Sequence, residues 1–76
     1  MQQQTHQLDT RGMNCPLPIV KTKKRLKGMQ TGEVLQVMAS DPGSIKDMTS
    51  FCAQTGHHLM AAEEDGANFV FQIRKV

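Results

Sequence analysis

A chain of 76 residues has room for one domain with a small core and none for a second lobe or a deep enzyme pocket, so its chemistry is expected at the surface, against a partner. Two cysteines, a polar opening from Met1 to Gln7 that lacks a secretory leader, and no long apolar run predict a soluble cytoplasmic protein with free thiols and no membrane segment. The net charge of +2 hides an asymmetry: residues 1–30 hold six Lys/Arg against Asp9 alone, whereas residues 31–76 hold three against six Asp/Glu.

The glutamine-rich start, residues 1–5, is expected to be flexible because nothing ties it down. His6 to Asp9 then reads as a short strand, and Gly12 to Asn14 turn the chain into a helix from Pro16 to about Gln30. Ile19, Thr22, Leu26 and Met29 recur at helical spacing and form a narrow stripe for the core, leaving Lys21, Lys23, Lys24, Arg25 and Lys27 on the other faces. Glu33 to Ala39 is β-rich and predicts a central strand. Ser40 or Asp41 can cap a second helix with Pro42 in its first turn, with Ile45, Met48 and Cys52 facing inward and Gly56 ending it. His58 to Glu63 and Asn68 to Lys75 predict a hairpin around residues 64–67, with Phe69, Phe71 and Ile73 alternating inward. Two helices on right-handed crossovers cover one face of one sheet. The expected fold is therefore α+β: a single-domain two-layer α/β sandwich, order β-α-β-α-β-β, with a mixed four-stranded sheet.

Cys15 stands between a glycine-containing turn and two prolines, Pro16 and Pro18. Proline is tolerated in a helix's first turn, where its missing amide hydrogen would be unpaired anyway, so Cys15 reads as the cap. The Leu17 amide is then the capping donor left for a thiolate, and the positive end of the helix favours that anion. Such positions lower a cysteine pKa from about 8.5 into the range of about 3.5 to 7.5. The bland alternative is a small apolar residue filling a turn. A dithiol oxidoreductase needs a resolving cysteine where Pro18 stands, which also weakens a redox-sensor reading, and a cysteine hydrolase needs a cleft that the chain is too short to wall. What remains is a thiol that carries something and hands it over.

The pattern L-D-x-R-G-x-x-C-P-x-P from Leu8 to Pro18, followed by Asp41-Pro42 and by F-C-x-x-x-G-H from Phe51 to His57, resembles the TusA-type (SirA-like) sulfur-carrier family over essentially the whole chain. The resemblance implies that Cys15 carries sulfur as a persulfide, received from a cysteine desulfurase or rhodanese-like donor. It would pass to a DsrE-like or other acceptor protein with a reactive cysteine. Such a protein is a relay rather than a stand-alone enzyme and needs no bound cofactor; the family serves tRNA thiolation, cofactor sulfuration and sulfur oxidation. Asp9 and Arg11 match the family's strand-end pair and, with Gly12, Pro16, Leu17 and Pro18, would support the cysteine. Their bland role is to hold the loop, and Arg11 could alternatively favour the thiolate.

Cys52 lies on the stripe of the second helix and reads as buried and inert. His6, His57 and His58 have no ligand spacing with either cysteine, so no metal is expected. The basic helix lacks interleaved aromatics, so direct nucleic-acid binding is not expected; Lys21, Lys23, Lys24 and Lys27, with Met13 beside the thiol, are candidates for docking partner proteins by a monomer. The rival reading is a regulatory or RNA- or protein-binding module that uses this helix, with Cys15 merely a cap.

Overall fold

The computed structural model describes residues 5–76. The elements follow in the order β1 (Thr5–Asp9), α1 (Leu17–Lys27), β2 (Val34–Ala39), α2 (Ser44–Thr55), β3 (His58–Asp65) and β4 (Asn68–Arg74). Of the start expected to be flexible, residues 1–4 lie outside the described residues, and Thr5 already pairs with Val34 as the first residue of β1.

The sheet has the order β1-β2-β4-β3. β1 runs parallel to β2, from Thr5↔Val34 to Asp9↔Met38, and β4 runs antiparallel to both of its neighbours. The sheet is therefore mixed, with both helices packed on one face, as the crossover rule requires. On that face Leu35, Val37 and Ala39 of β2 meet Phe71 and Ile73 of β4, and Leu26, Met29, Met48, Phe51 and Cys52 close the core from the helix side. The other face of the sheet is polar along one row, where Gln36 pairs with Gln72 and accepts a hydrogen bond from Gln7 at 3.4 Å. The β3–β4 turn is two residues long, Gly66-Ala67, with Gly66 at φ 61°, the first central position of a hairpin turn that needs a positive φ.

Helix α1 ends at Lys27, short of Gln30, because Gly28 and Met29 donate to Arg25 and Leu26, three residues back, and tighten the chain out of the helix. Its buried side is Pro18, Thr22 and Leu26, continued by Met29, while Ile19 is only half-buried. The buried hydroxyl oxygen of Thr22 has no hydrogen-bond partner among the described residues. In α2 the buried residues are Ser44, Met48, Phe51 and Cys52. Ile45, expected inward, is 37% exposed: it sits in the first turn at the edge of the buried stripe, about 60° of helix rotation from Met48. The cap of α2 also differs from expectation. Gly43 is the N-cap, and Asp41 instead closes the turn before it, accepting from the Gly43 amide through its carboxylate at 3.0 Å and from the Ser44 amide through its carbonyl at 2.9 Å.

Candidate functional site

The segment from Thr10 to Pro16 is held by partners far away in sequence. Thr10 is fully buried, and both its amide and its hydroxyl donate to the Met38 carbonyl, at 2.7 and 2.6 Å. The Gly12 amide donates to Ser40 Oγ at 2.8 Å, and the Cys15 amide donates to Asp41 Oδ2 at 2.9 Å. Asp41 thus joins the cysteine loop to the entrance of α2, one carboxylate oxygen serving each. At the outer edge, Arg11 forks onto Asp9 with two bonds of 2.9 Å. Those bonds, with the Arg11 amide, hold the Asp9 carboxyl down at about 2.

Cys15 is exposed, as expected, but it is not the helix cap. Pro16 is the N-cap, following a cis Cys15–Pro16 peptide, and no side chain caps the helix. The Leu17 amide, expected to face the sulfur, instead donates to the Asn14 carbonyl at 2.8 Å, and Pro18 is buried in the first turn. Cys15 Sγ turns toward α2 and donates to Asp47 Oδ2 at 2.7 Å. This contact corrects the expectation of a lowered thiol pKa. The hydrogen bond to Asp47, partial burial and the negative charges of Asp47 and Asp41 all push the thiol up. Arg11 does not offset them, because its guanidinium is engaged by Asp9.

The sulfur lies at the edge of a cleft of about 250 Å³ between the two helices, lined by Cys15, Pro16, Ile19, Asp47, Ser50, Phe51 and Gln54. Phe51 also lines a smaller hollow of about 160 Å³ farther along the same helix pair, where Lys23, Lys27 and Lys75 gather. The candidate docking lysines therefore divide. Lys23 and Lys27 line the hollow that shares Phe51 with the Cys15 cleft, whereas Lys21 and Lys24 flank Leu8 on the β1 side. Met13 is half-buried in the loop.

Asp47 was not among the residues singled out from the sequence. It stands 32 residues from Cys15, and only the packing of α1 on α2 brings the two together. Its place in the first turn of α2 was a legible electrostatic signal, since helix N-termini favour acidic side chains.

Cys52 is buried at 4% exposure, and burial pushes its thiol up; both cysteines are free. Among the described residues no group of three His, Cys, Asp or Glu side chains could hold a metal ion. His6 bonds Glu33 at 3.1 Å, and His57 Nδ1 accepts from the Val76 amide at 3.3 Å. Among the same residues no helix is long and apolar enough to cross a membrane.

The family described as Sulfurtransferase TusA matches residues 6–75. A sulfur carrier protein TusA from Allochromatium vinosum is 52% identical over 69 residues, covering 91% of each chain. The crystal structure of a SirA-like protein from Desulfitobacterium hafniense superposes with a TM-score of 0.79 at 22% identity, covering 93% of this chain and 96% of that one, a likeness of fold.

Proposed function

We propose, from the premise that this chain belongs to the TusA sulfurtransferase family, that it is a sulfur carrier and that Cys15 is the atom that carries. The observation that supports this most directly is the position of Cys15: an exposed free thiol at the edge of a cleft, in the C-P-x-P segment, on a domain only 17 Å across its thinnest dimension. A domain of this size offers little wall for a substrate pocket, so sulfur arrives and leaves on other proteins. The donor is a cysteine desulfurase or rhodanese-like enzyme, and the acceptor is a DsrE-like or other protein with a reactive cysteine. The exchange runs thiol to sulfur: Cys15 Sγ bonds to the donor's terminal sulfur, the donor's S–S bond breaks, and the donor cysteine leaves as thiolate. An acceptor cysteine later attacks the same terminal sulfur and releases Cys15. Among the described residues no cation lines the cleft to hold the transferred sulfur in place, which suits a carrier that must give it up.

Docking falls to the groove side of α1. Lys23 and Lys27 attract an acidic partner surface, and Met13 offers an adaptable apolar contact beside the thiol. The reducing cytoplasm is the compartment in which such a free thiol persists. A binding module in which Cys15 is merely a cap is disfavoured by the cap itself, which is Pro16.

The deciding experiment is intact mass under non-reducing conditions after incubation with a cysteine desulfurase and cysteine, and then with a rhodanese and thiosulfate. Wild type and Cys52→Ala gain one sulfur atom that reductant removes, and Cys15→Ser gains none. No gain with either donor overturns the carrier reading.

A further inference from the structure

We propose that Asp47 is the proton acceptor of Cys15 when sulfur is loaded. The inference rests on the carrier reading of Cys15 and adds the group that frees its sulfur to react.

The resting thiol sits beside two carboxylates, and among the described residues no cation lines its cleft, so its surroundings favour the protonated form. A protonated thiol is a poor nucleophile, and loading therefore needs a base within hydrogen-bond reach of Sγ. Asp47 Oδ2, at 2.7 Å, meets that geometry, and the thiol is the only donor the Asp47 side chain has among the described residues. Asp41 is differently placed. Its Oδ2 accepts from the Cys15 amide and its Oδ1 from the Gly43 amide, so it positions the loop. Among the described residues no histidine lines the cleft at Cys15: His57 lines the other hollow with Nδ1 bonded to Val76, His6 is held by Glu33, and His58 begins β3.

In the loading step the Cys15 S–H bond breaks and its proton moves to Asp47 Oδ2. The electron pair left on Sγ forms the new bond to the donor's terminal sulfur, and the pair of the donor's S–S bond leaves on the donor cysteine as thiolate. Nothing is oxidised or reduced overall. The proton on Asp47 then passes to that thiolate or to water. Neutralising Asp47 at this moment also removes one of the two negative charges beside the growing persulfide. In unloading, the acceptor thiol gives up its proton as its sulfur bonds to the terminal sulfur, the S–S bond to Cys15 breaks with its electron pair returning to Sγ, and Asp47 Oδ2 takes up the released proton and passes it to Sγ.

The test reads two quantities in a Cys52→Ala background: the pH profile of iodoacetamide alkylation at Cys15, and the single-turnover rate of sulfur loading from a cysteine desulfurase. Asp47→Asn keeps the shape but removes both the charge and the proton acceptor. Its alkylation midpoint should move to lower pH, with faster alkylation at neutral pH. Its loading should slow by about tenfold or more, the modest end of what a general base contributes once the easier ionisation is offset. Opposite signs in the two readouts are the signature of a base. Asp47→Glu, which keeps the carboxylate, should retain the high alkylation midpoint and recover most of the loading rate. It carries the test alone if Asp47→Asn fails to fold, and loading by Asp47→Glu as slow as in a denatured control would then sink the proposal. Loading that is unchanged or faster in Asp47→Asn would reduce Asp47 to an electrostatic brake. An unmoved alkylation profile would mean the contact is not made in solution. Each of these overturns the proposal while leaving wild-type loading intact, whereas absence of sulfur gain by wild type overturns the carrier reading itself.

Discussion

Arg11 and Asp9 clasp one another across the end of β1, two parallel bonds of 2.9 Å on side chains that are both about half exposed. The pair shapes the loop from outside and leaves the sulfur to the carboxylates. Asp9 is therefore expected to titrate at about 2, below its ordinary value of 3.8, and Arg11→Ala should return it upward. Because the folded-state pKa is the lower one, this contribution to stability is complete above about pH 4 and lost as pH falls through about 2. A carboxyl NMR titration of wild type and Arg11→Ala checks the shift. Cys15 alkylation should keep its pH profile in the variant, and a moved profile would place Arg11 at the sulfur after all.

The two thiols are both pushed up, for different reasons: Cys15 by neighbouring carboxylates, Cys52 by burial. At neutral pH Cys15 should alkylate more slowly than an unfolded thiol yet faster than Cys52, because only Cys15 is accessible. Denaturant should bring the two to one common rate, Cys15 included, by speeding both. Mass spectrometry of timed alkylation reads this directly, and a Cys15 faster when folded than unfolded would restore the activated-thiolate picture.

Thr22 faces the core with an unpartnered hydroxyl. Replacing it with valine exchanges that hydroxyl for a methyl of similar size, so Thr22→Val should stabilise the fold by about 1 kcal/mol. Urea unfolding at equilibrium gives the difference. A loss of stability would reveal a partner for the hydroxyl in solution.

The helices end on glycines of opposite character. Gly56 closes α2 at φ 84°, donating to the Cys52 carbonyl at 2.9 Å, while Gly28 closes α1 at φ −86°. An added Cβ would meet only ordinary contacts at both, Val76 at 3.9 Å and the Arg25 carbonyl at 3.7 Å, so conformation decides. Gly56→Ala should cost about 1–2 kcal/mol. Gly28→Ala should be stabilising by roughly 0.4–1 kcal/mol, since alanine restricts the unfolded chain without strain in the folded one. Thermal and urea unfolding of the pair test the contrast.

Charge reversal on the groove side of α1, Lys23→Glu with Lys27→Glu, should slow sulfur transfer at low salt and lose its effect as ionic strength rises, because steering between exposed charges is screened over about 8–10 Å at physiological salt. Reversal of Lys21 and Lys24, which face β1, should do less. Equal effects from both pairs in stopped transfer assays would mean that net charge alone matters.

Most of the architecture was legible because local rules agree with the tertiary outcome: Val34 to Ala39 is a short apolar run broken only by Gln36, as suits a central strand, and Gly56 and Gly66 mark ends that the chain does make. Inward and outward faces were less so. Ile45 looks like a core residue by type, yet Phe51 and Ser44 take the buried stripe, because rotation about α2 is set by where the turn at Asp41 releases the helix. Cys15 stands out in the sequence by the two prolines that follow it, and it is exposed in the structure, but its electrostatic setting was not legible. That setting is made by Asp41 and Asp47, 26 and 32 residues away, and the local helix-cap reasoning had no access to them.

The last strand in the chain order, β4, lies between β2 and β3 rather than at an edge. Until it arrives, β2 and β3 share no pairing, and α2, which bears Asp47, connects two strands not yet in one sheet. During synthesis the cysteine therefore emerges well before its carboxylate neighbours are fixed in place. A nascent chain would present Cys15 as an ordinary thiol, and its suppressed reactivity would be acquired late, as a mark that folding is complete.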